Sequence, residues 1–159
     1  MLHRERGLIY WIYVWFPVAL GIALVALESQ EWLGSNNTSH PLRMIFEAIF
    51  GHLSTATWET IHHLVRKTGH VLGYGLLGLA WLRAWWMTLL HSRFLPNARR
   101  ALVGTALVAC ADEWHQSFLS NRTASPWDVL LDCSGAIAFQ LFVYVGMRVI
   151  WPEQLAHRD

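Results

Sequence analysis

The sequence predicts an all-α, polytopic membrane protein with four transmembrane helices and a short interfacial amphipathic helix between the first two. Three observations predict it. Hydrophobic residues make up 54% of the 159 residues and charged ones only 14%, with a mean hydropathy of +0.29, a balance unlike that of a soluble globule. Apolar runs recur along the chain, beginning with one that spans ~30 Å of hydrocarbon at 1.5 Å per residue. Ten tryptophans suit the headgroup level of a bilayer. The length fits one domain, residues 1–159, without internal repeats. A net charge of +1 without a basic block argues against a nucleic-acid partner, leaving the lipid bilayer as the expected surrounding.

The first span is the uncharged run Leu8 to Leu27. A cleaved signal peptide is the rival reading. The run exceeds the usual apolar region and ends Ala26-Leu27-Glu28-Ser29 without a clear A-x-A site, which favours a retained helix. Pro17 lies inside it and frees a carbonyl that neighbouring helices must satisfy. From Glu28 the chain is polar, and Gly34 to Ser39 reads as loop. Pro41 then starts a short helix with Leu42, Ile45, Phe46, Ile49 and Phe50 on one side and Arg43 and Glu47 on the other, ended by Gly51. That pattern fits a helix lying in the interface plane, or one packed on the others.

The next helix starts between Ser54 and Thr57 and continues through Val71 into the second span, ending near Arg83, Trp85 and Trp86. Glu59, His63, Lys67, His70 and Tyr74 form a polar stripe descending into it. Gly69, Gly73, Gly75 and Gly78 read as small packing residues. A loop from His91 to Arg100 leads to the third span, Ala101 to Leu119, which carries Asp112, Glu113, His115 and Gln116. An acid at mid-helix costs roughly 2.5 to 3.5 kcal/mol on the insertion scale against about 0.3 to 0.6 returned per Leu or Val. This span therefore needs polar partners. The fourth span, Val129 to about Ile150, follows Asp128 and carries Asp132 one turn further on. Cys110 and Cys133 lie in apolar runs without metal-ligand spacing and are expected to be buried free thiols.

Arg4, Arg6, Arg93, Arg99, Arg100, Arg148 and Arg158 fall on one side of this topology, against Arg43, Arg66, Lys67 and Arg122 on the other. The positive-inside rule places both termini in the cytoplasm of a multi-pass cell-membrane protein. The second and fourth spans then run inward and the third outward. Lys67, His70, Tyr74, Asp112, Glu113, Gln116, Arg122, Asp128 and Asp132 share one half of the bilayer, as an extracytoplasmic, ligand-binding pocket. Intramembrane ionisable groups pair or face cavities.

Lys67-x-x-His70-x-x-x-Tyr74, then Asp112-Glu113-x-His115-Gln116-x-Phe118, then Arg122-x-x-Ser125-x-x-Asp128 with Asp132 and Gly135 resemble the VanZ-like family of small polytopic bacterial membrane proteins. The resemblance covers about residues 28–142. Asp132 stands where the family carries Asn or Asp, and Phe139 where a small residue is common. The family is named for a protein associated with teicoplanin resistance, so the resemblance implies a role in the cell envelope or in glycopeptide-antibiotic response. It implies an architecture without naming a reaction.

Three functional readings follow. In the first, the pocket contacts a glycolipid, a lipid-linked envelope precursor or an amphiphilic glycopeptide, with Lys67, His70 and Arg122 holding an anionic head. In the second, Asp112, Glu113 and His70 are catalytic candidates for acid/base chemistry on an envelope lipid. In the third, the polar groups only fasten helices together. His62, His63, His70 and His115 are metal-ligand types, but the adjacent His62 and His63 cannot face one site on a helix; no metal or cofactor is expected. GxSxG, P-loop and HExxH motifs do not occur. The oligomeric state stays open.

Overall fold

Apolar runs and their breakers become five helices among the described residues of a computed structural model, which describes residues 7–31, 34–89, 93–120 and 124–150. The helix α1 spans Leu8–Glu28, α2 Ser35–Phe50, α3 Thr55–Thr88, α4 Phe94–Gln116 and α5 Pro126–Ile150. Strands do not occur among the described residues.

Local chemistry sets the boundaries. Ser54 caps α3, its hydroxyl accepting the Thr57 N–H at 3.2 Å. Gly51 ends α2 at φ 81°, a conformation open to glycine at little steric cost. Two boundaries differ from expectation by more than a helical turn. Helix α2 begins at Ser35 and carries Pro41 inside it, not at its start. The loop-forming residues of this stretch instead tie its first turns, Asn37 donating to the Glu31 carbonyl and Thr38 to that of Gly34. Helix α4 begins at Phe94, well before Ala101. Pro96 falls in its first turn, where a missing N–H costs no intrahelical bond.

Pro17 leaves the Tyr13 carbonyl without its helical donor. The Arg83 Nη1 on α3 donates to that oxygen at 3.3 Å and to Val14 at 3.2 Å, with the guanidinium over the Tyr13 ring. Trp15 joins Trp81 and Trp85 edge-on in the same seam. The sequence break in α1 is thus matched to a cation on its neighbour.

Helices α3, α4 and α5 pack mutually, and α1 lies along α3. The closest approach is between α3 and α5. A Cβ at Gly135 would stand 2.4 Å from the Val71 oxygen, and one at Gly78 would stand 2.8 Å from Ala136 Cβ. These glycines let the backbones meet. Tyr10, Met87, Phe94 and Tyr144 gather at one end of the bundle. Ser29, Tyr74 and Asp112 lie towards the other.

Polarity is distributed inside out. Asn97, Thr105 and Asp132 are 0% exposed, while Ile9, Phe142 and Val149 are at least 75% exposed. Continuous apolar surface of this kind marks contact with a membrane or with protein. Helices α1 and α5 are long and apolar enough to cross a membrane; in α3 and α4 the inward-facing polar residues dilute the apolar content. Cys110 corrects the expectation of two buried thiols. It is exposed, on the outward stripe of α4 with Val103, Leu107 and Trp114, and Cys133 is half-buried.

Helix α2 meets α3 where the Trp58 indole donates to Ser39 at 2.8 Å and Phe46 packs on the Trp58 ring. Ile45, Ile49 and Phe50 stay exposed. Its turn into α3 is held by Glu47, which accepts from Arg43 at 3.0 Å and from the Leu53 amide at 3.2 Å. The Leu53 amide and Arg43 hold the Glu47 carboxyl below its ordinary range. A depressed pKa stabilises the turn above the ordinary carboxylate range, and that contribution is lost as pH falls through the depressed value. Hydrogen exchange should therefore show the Leu53 amide protected at pH 7 and opening in acid, as pH falls below the ordinary carboxylate range. In Glu47→Gln the amide should be less protected at both, without the acid step.

Candidate functional site

Spacing on α3 and antiparallel packing against α4 and α5 place the polar residues in successive layers. Lys67 and Asp128 form an ion pair in the outermost layer, half-buried on both sides. Asp128 lies in the first turn of α5, where the helix dipole favours an anion. One turn deeper, His70 Nδ1 lies 3.2 Å from Asp132 Oδ1, and Asp132 is fully buried. Deepest, the Tyr74 hydroxyl donates to Asp112 Oδ2 at 3.0 Å. Each α3 group thus meets a different carboxylate.

Glu113 has another role. It accepts the Ser125 amide at 2.7 Å, clasping the start of α5 to the end of α4. Ser125 in turn accepts the Trp127 N–H through its own hydroxyl, so Glu113 braces the N-terminus of α5. Gln116 is buried beside Asp112 and faces the same space as His70 and Tyr74. Arg122 lies outside the described residues.

A narrow cleft, with room for about one water molecule, opens between α1, α3 and α4 against His70, Tyr74, Asp112 and Gln116. Its mouth is formed by Gly69 and Gly73, where an added Cβ would meet nothing within 4 Å. The expectation that all four α3 glycines serve packing therefore holds for Gly75, against Phe139, and Gly78, against Ala136, but not for the other two. A glycine run on a helix does not disclose which members face a neighbour.

Sequence reasoning misses the contribution of α1. Glu28 and Ser29 line the cleft, and the Ser29 hydroxyl lies 2.9 Å from His115 Nδ1. The signal is their position at the end of an uncharged run, at the level of the acids on α4. Between α1 and α4 a second groove, of about 200 Å³, is lined by Ile22, Val108 and Ala111 and also reaches Asp112. Asp112 therefore stands where a polar cleft meets an apolar groove.

Two buried carboxylate oxygens, Asp112 Oδ1 and Asp132 Oδ2, have no hydrogen-bond partner among the described residues. Leaving such an atom unmade is costly in a low-dielectric interior. Lys67 and His70 already face acids, so the open valences here are acceptors. His62 stacks on Trp58 and bonds Thr38 away from this cluster, and His63 is exposed. Among the described residues no three His, Cys, Asp or Glu side chains are grouped as a metal ion would need.

The VanZ/LLP1 family model matches residues 8–147, a span that takes in α1 as well as the three polar segments. No curated protein and no solved structure matches the chain.

Proposed function

The chain belongs to the VanZ/LLP1 family, and from that premise we propose a multi-pass membrane protein that binds an amphiphilic cell-envelope ligand beside Asp112, where the cleft meets the groove between α1 and α4. Helices α1, α3, α4 and α5 are its four spans, both termini are cytoplasmic, and α2 lies in the outer interface. The polar interior and apolar exterior of the bundle support the spans, since a bilayer reverses the outward preference of water. The arginine distribution supports the orientation.

One observation carries the ligand reading: Asp112 lines both a polar cleft and an apolar groove, and its buried Oδ1 has no hydrogen-bond partner among the described residues. Acceptors without donors favour a hydroxyl-rich or amine-bearing head, and the groove between α1 and α4 suits its chain. A glycolipid or lipid-linked sugar has this chemistry, as has an acylated glycopeptide. A head held chiefly through anionic groups fits less well, because Lys67 and His70 already meet Asp128 and Asp132.

The test is binding of a hexosyl diacylglycerol to the purified full chain, with diacylglycerol as control. Asp112→Asn should weaken glycolipid binding about tenfold or more, the typical cost of one charge-assisted hydrogen bond, and Gly73→Val should weaken it by filling the open space at the cleft mouth, neither lowering thermal stability equally. Unchanged binding in both variants would remove the ligand reading. Asp112 is also the acid best placed for proton transfer to a bound head. Glu113→Gln should leave envelope lipid profiles as in the wild type, whereas Asp112→Asn should alter them if the ligand is processed.

A further inference from the structure

At the opposite end of the bundle, α4 and α5 leave an open groove of about 660 Å³ with apolar walls that include Ile137 and Leu141. Arg93 and Arg99 stand at its rim, both exposed and neither ion-paired among the described residues. Tyr144 lines it as well, and its hydroxyl accepts two hydrogen bonds from Arg148, at 3.0 and 2.8 Å, which leaves the phenolic proton to donate. Inside, Gln140 is only 6% exposed, and its Nε2 has no hydrogen-bond partner among the described residues. Buried amide donors are nearly always satisfied in folded proteins, so this one marks a place where an acceptor belongs.

Among the described residues the charge around the groove has one sign. Among the described residues every Asp and Glu lies at the other end of the bundle, whereas Arg83, Arg93, Arg99, Arg100 and Arg148 lie at this one. A soluble anion would meet the arginines but gain nothing from the Ile137 and Leu141 walls. An apolar chain would fill the walls and leave the arginines and Gln140 unmatched. A molecule that carries both, with its phosphate at the level of the arginines and an acyl chain along α5, matches every feature.

We propose that this groove is a binding site for an anionic phospholipid, with Arg93 and Arg99 on the phosphate, Gln140 and Tyr144 donating to ester or phosphate oxygens, and Ile137 and Leu141 against one acyl chain. Basic pockets between membrane helices recognise anionic headgroups in this way, and each surface Lys or Arg contributes several-fold in affinity. The site shares with the proposed function only the premise that the bundle sits in a bilayer. It uses other residues, other helix ends and the opposite charge logic.

Native mass spectrometry of the full chain, released from detergent containing equimolar phosphatidylglycerol and phosphatidylcholine with identical acyl chains, tests it. The wild type should retain phosphatidylglycerol in preference. Arg93→Gln with Arg99→Gln should lower that retention roughly 30-fold and leave phosphatidylcholine retention unchanged. Leu141→Trp, which narrows the apolar wall without touching charge, should reduce retention of both. Equal retention of the two lipids by the wild type, or unchanged phosphatidylglycerol retention in the double variant, would overturn the proposal. So would full displacement by equimolar glycerol phosphate, which would assign the site to a free phosphate ester. Both variants leave the cleft at Asp112 intact, so hexosyl diacylglycerol binding measured on the same samples separates failure of this site from failure of the other.

Discussion

Gly135→Leu is expected to abolish the folded bundle, and Gly135→Ala to lower its stability by about 1 to 3 kcal/mol, the usual cost of overpacking. The reason is geometric. The atom that a new Cβ meets, at 2.4 Å, is the Val71 oxygen, part of a helical backbone that cannot rotate aside as a side chain would. Relief requires α3 and α5 to separate, which would disturb both His70–Asp132 and Lys67–Asp128. By contrast, Gly69→Ala and Gly73→Ala meet nothing within 4 Å and should be neutral or stabilising by up to about 1 kcal/mol, since alanine favours helix over glycine. Thermal unfolding of the three detergent-purified alanine variants would show the contrast, with Gly135→Leu failing to yield folded protein. An unchanged midpoint for Gly135→Ala would mean that α3 and α5 do not meet at this point.

His70→Leu should have the next largest effect, about 3 to 5 kcal/mol, because it removes one member of a buried polar pair. Asp132 is fully buried, and its second oxygen already lacks a partner among the described residues; without His70 neither oxygen has one. Adding Asp132→Leu should recover much of the loss, as replacement of both partners by apolar groups usually does. Lys67→Met should cost less, about 1 to 2 kcal/mol, because Lys67 and Asp128 keep 32% and 20% of their side-chain surface in solvent. Asp128→Asn should rescue it and Asp112→Asn should not, since Asp112 is engaged by Tyr74. Strict additivity in both double mutants would contradict these pairings.

Much of the layered site is legible in the amino-acid sequence. Positions 67, 70 and 74 step down one helix face, and an antiparallel partner must bring acids to the same depths. The layers Lys67–Asp128, His70–Asp132 and Tyr74–Asp112 follow from that depth matching. Pro17 and Arg83 are each visible in the sequence, but only packing shows that the cation reaches the carbonyl that the proline frees. Glu113 misleads for a related reason. Its neighbour in sequence is Asp112, yet on a helix adjacent residues point about 100° apart, and it serves a loop amide instead of the cluster. The starts of α2 and α4 escape a sequence reading because Asn, Thr and Pro read as loop formers, although all three are compatible with early helical turns when their side chains bond backwards or their N–H is not required. Glu28 and Ser29 read as the edge of a loop, while the fold turns that edge into a wall of the cleft.

A cleft that opens to the outside of a four-span bundle predicts a definite pattern of thiol accessibility in intact cells. Gly73→Cys places a thiol in open space at the cleft mouth, and Asn37→Cys places one on exposed α2. Both should react with a charged, membrane-impermeant thiosulfonate applied from outside, whereas native Cys110, on the apolar stripe of α4, should stay unlabelled, and Arg93→Cys should react only after permeabilisation. If Gly73→Cys stayed as inert as Cys110, or if Asn37→Cys and Gly73→Cys reacted only after permeabilisation, the cleft would not be an outward-facing site.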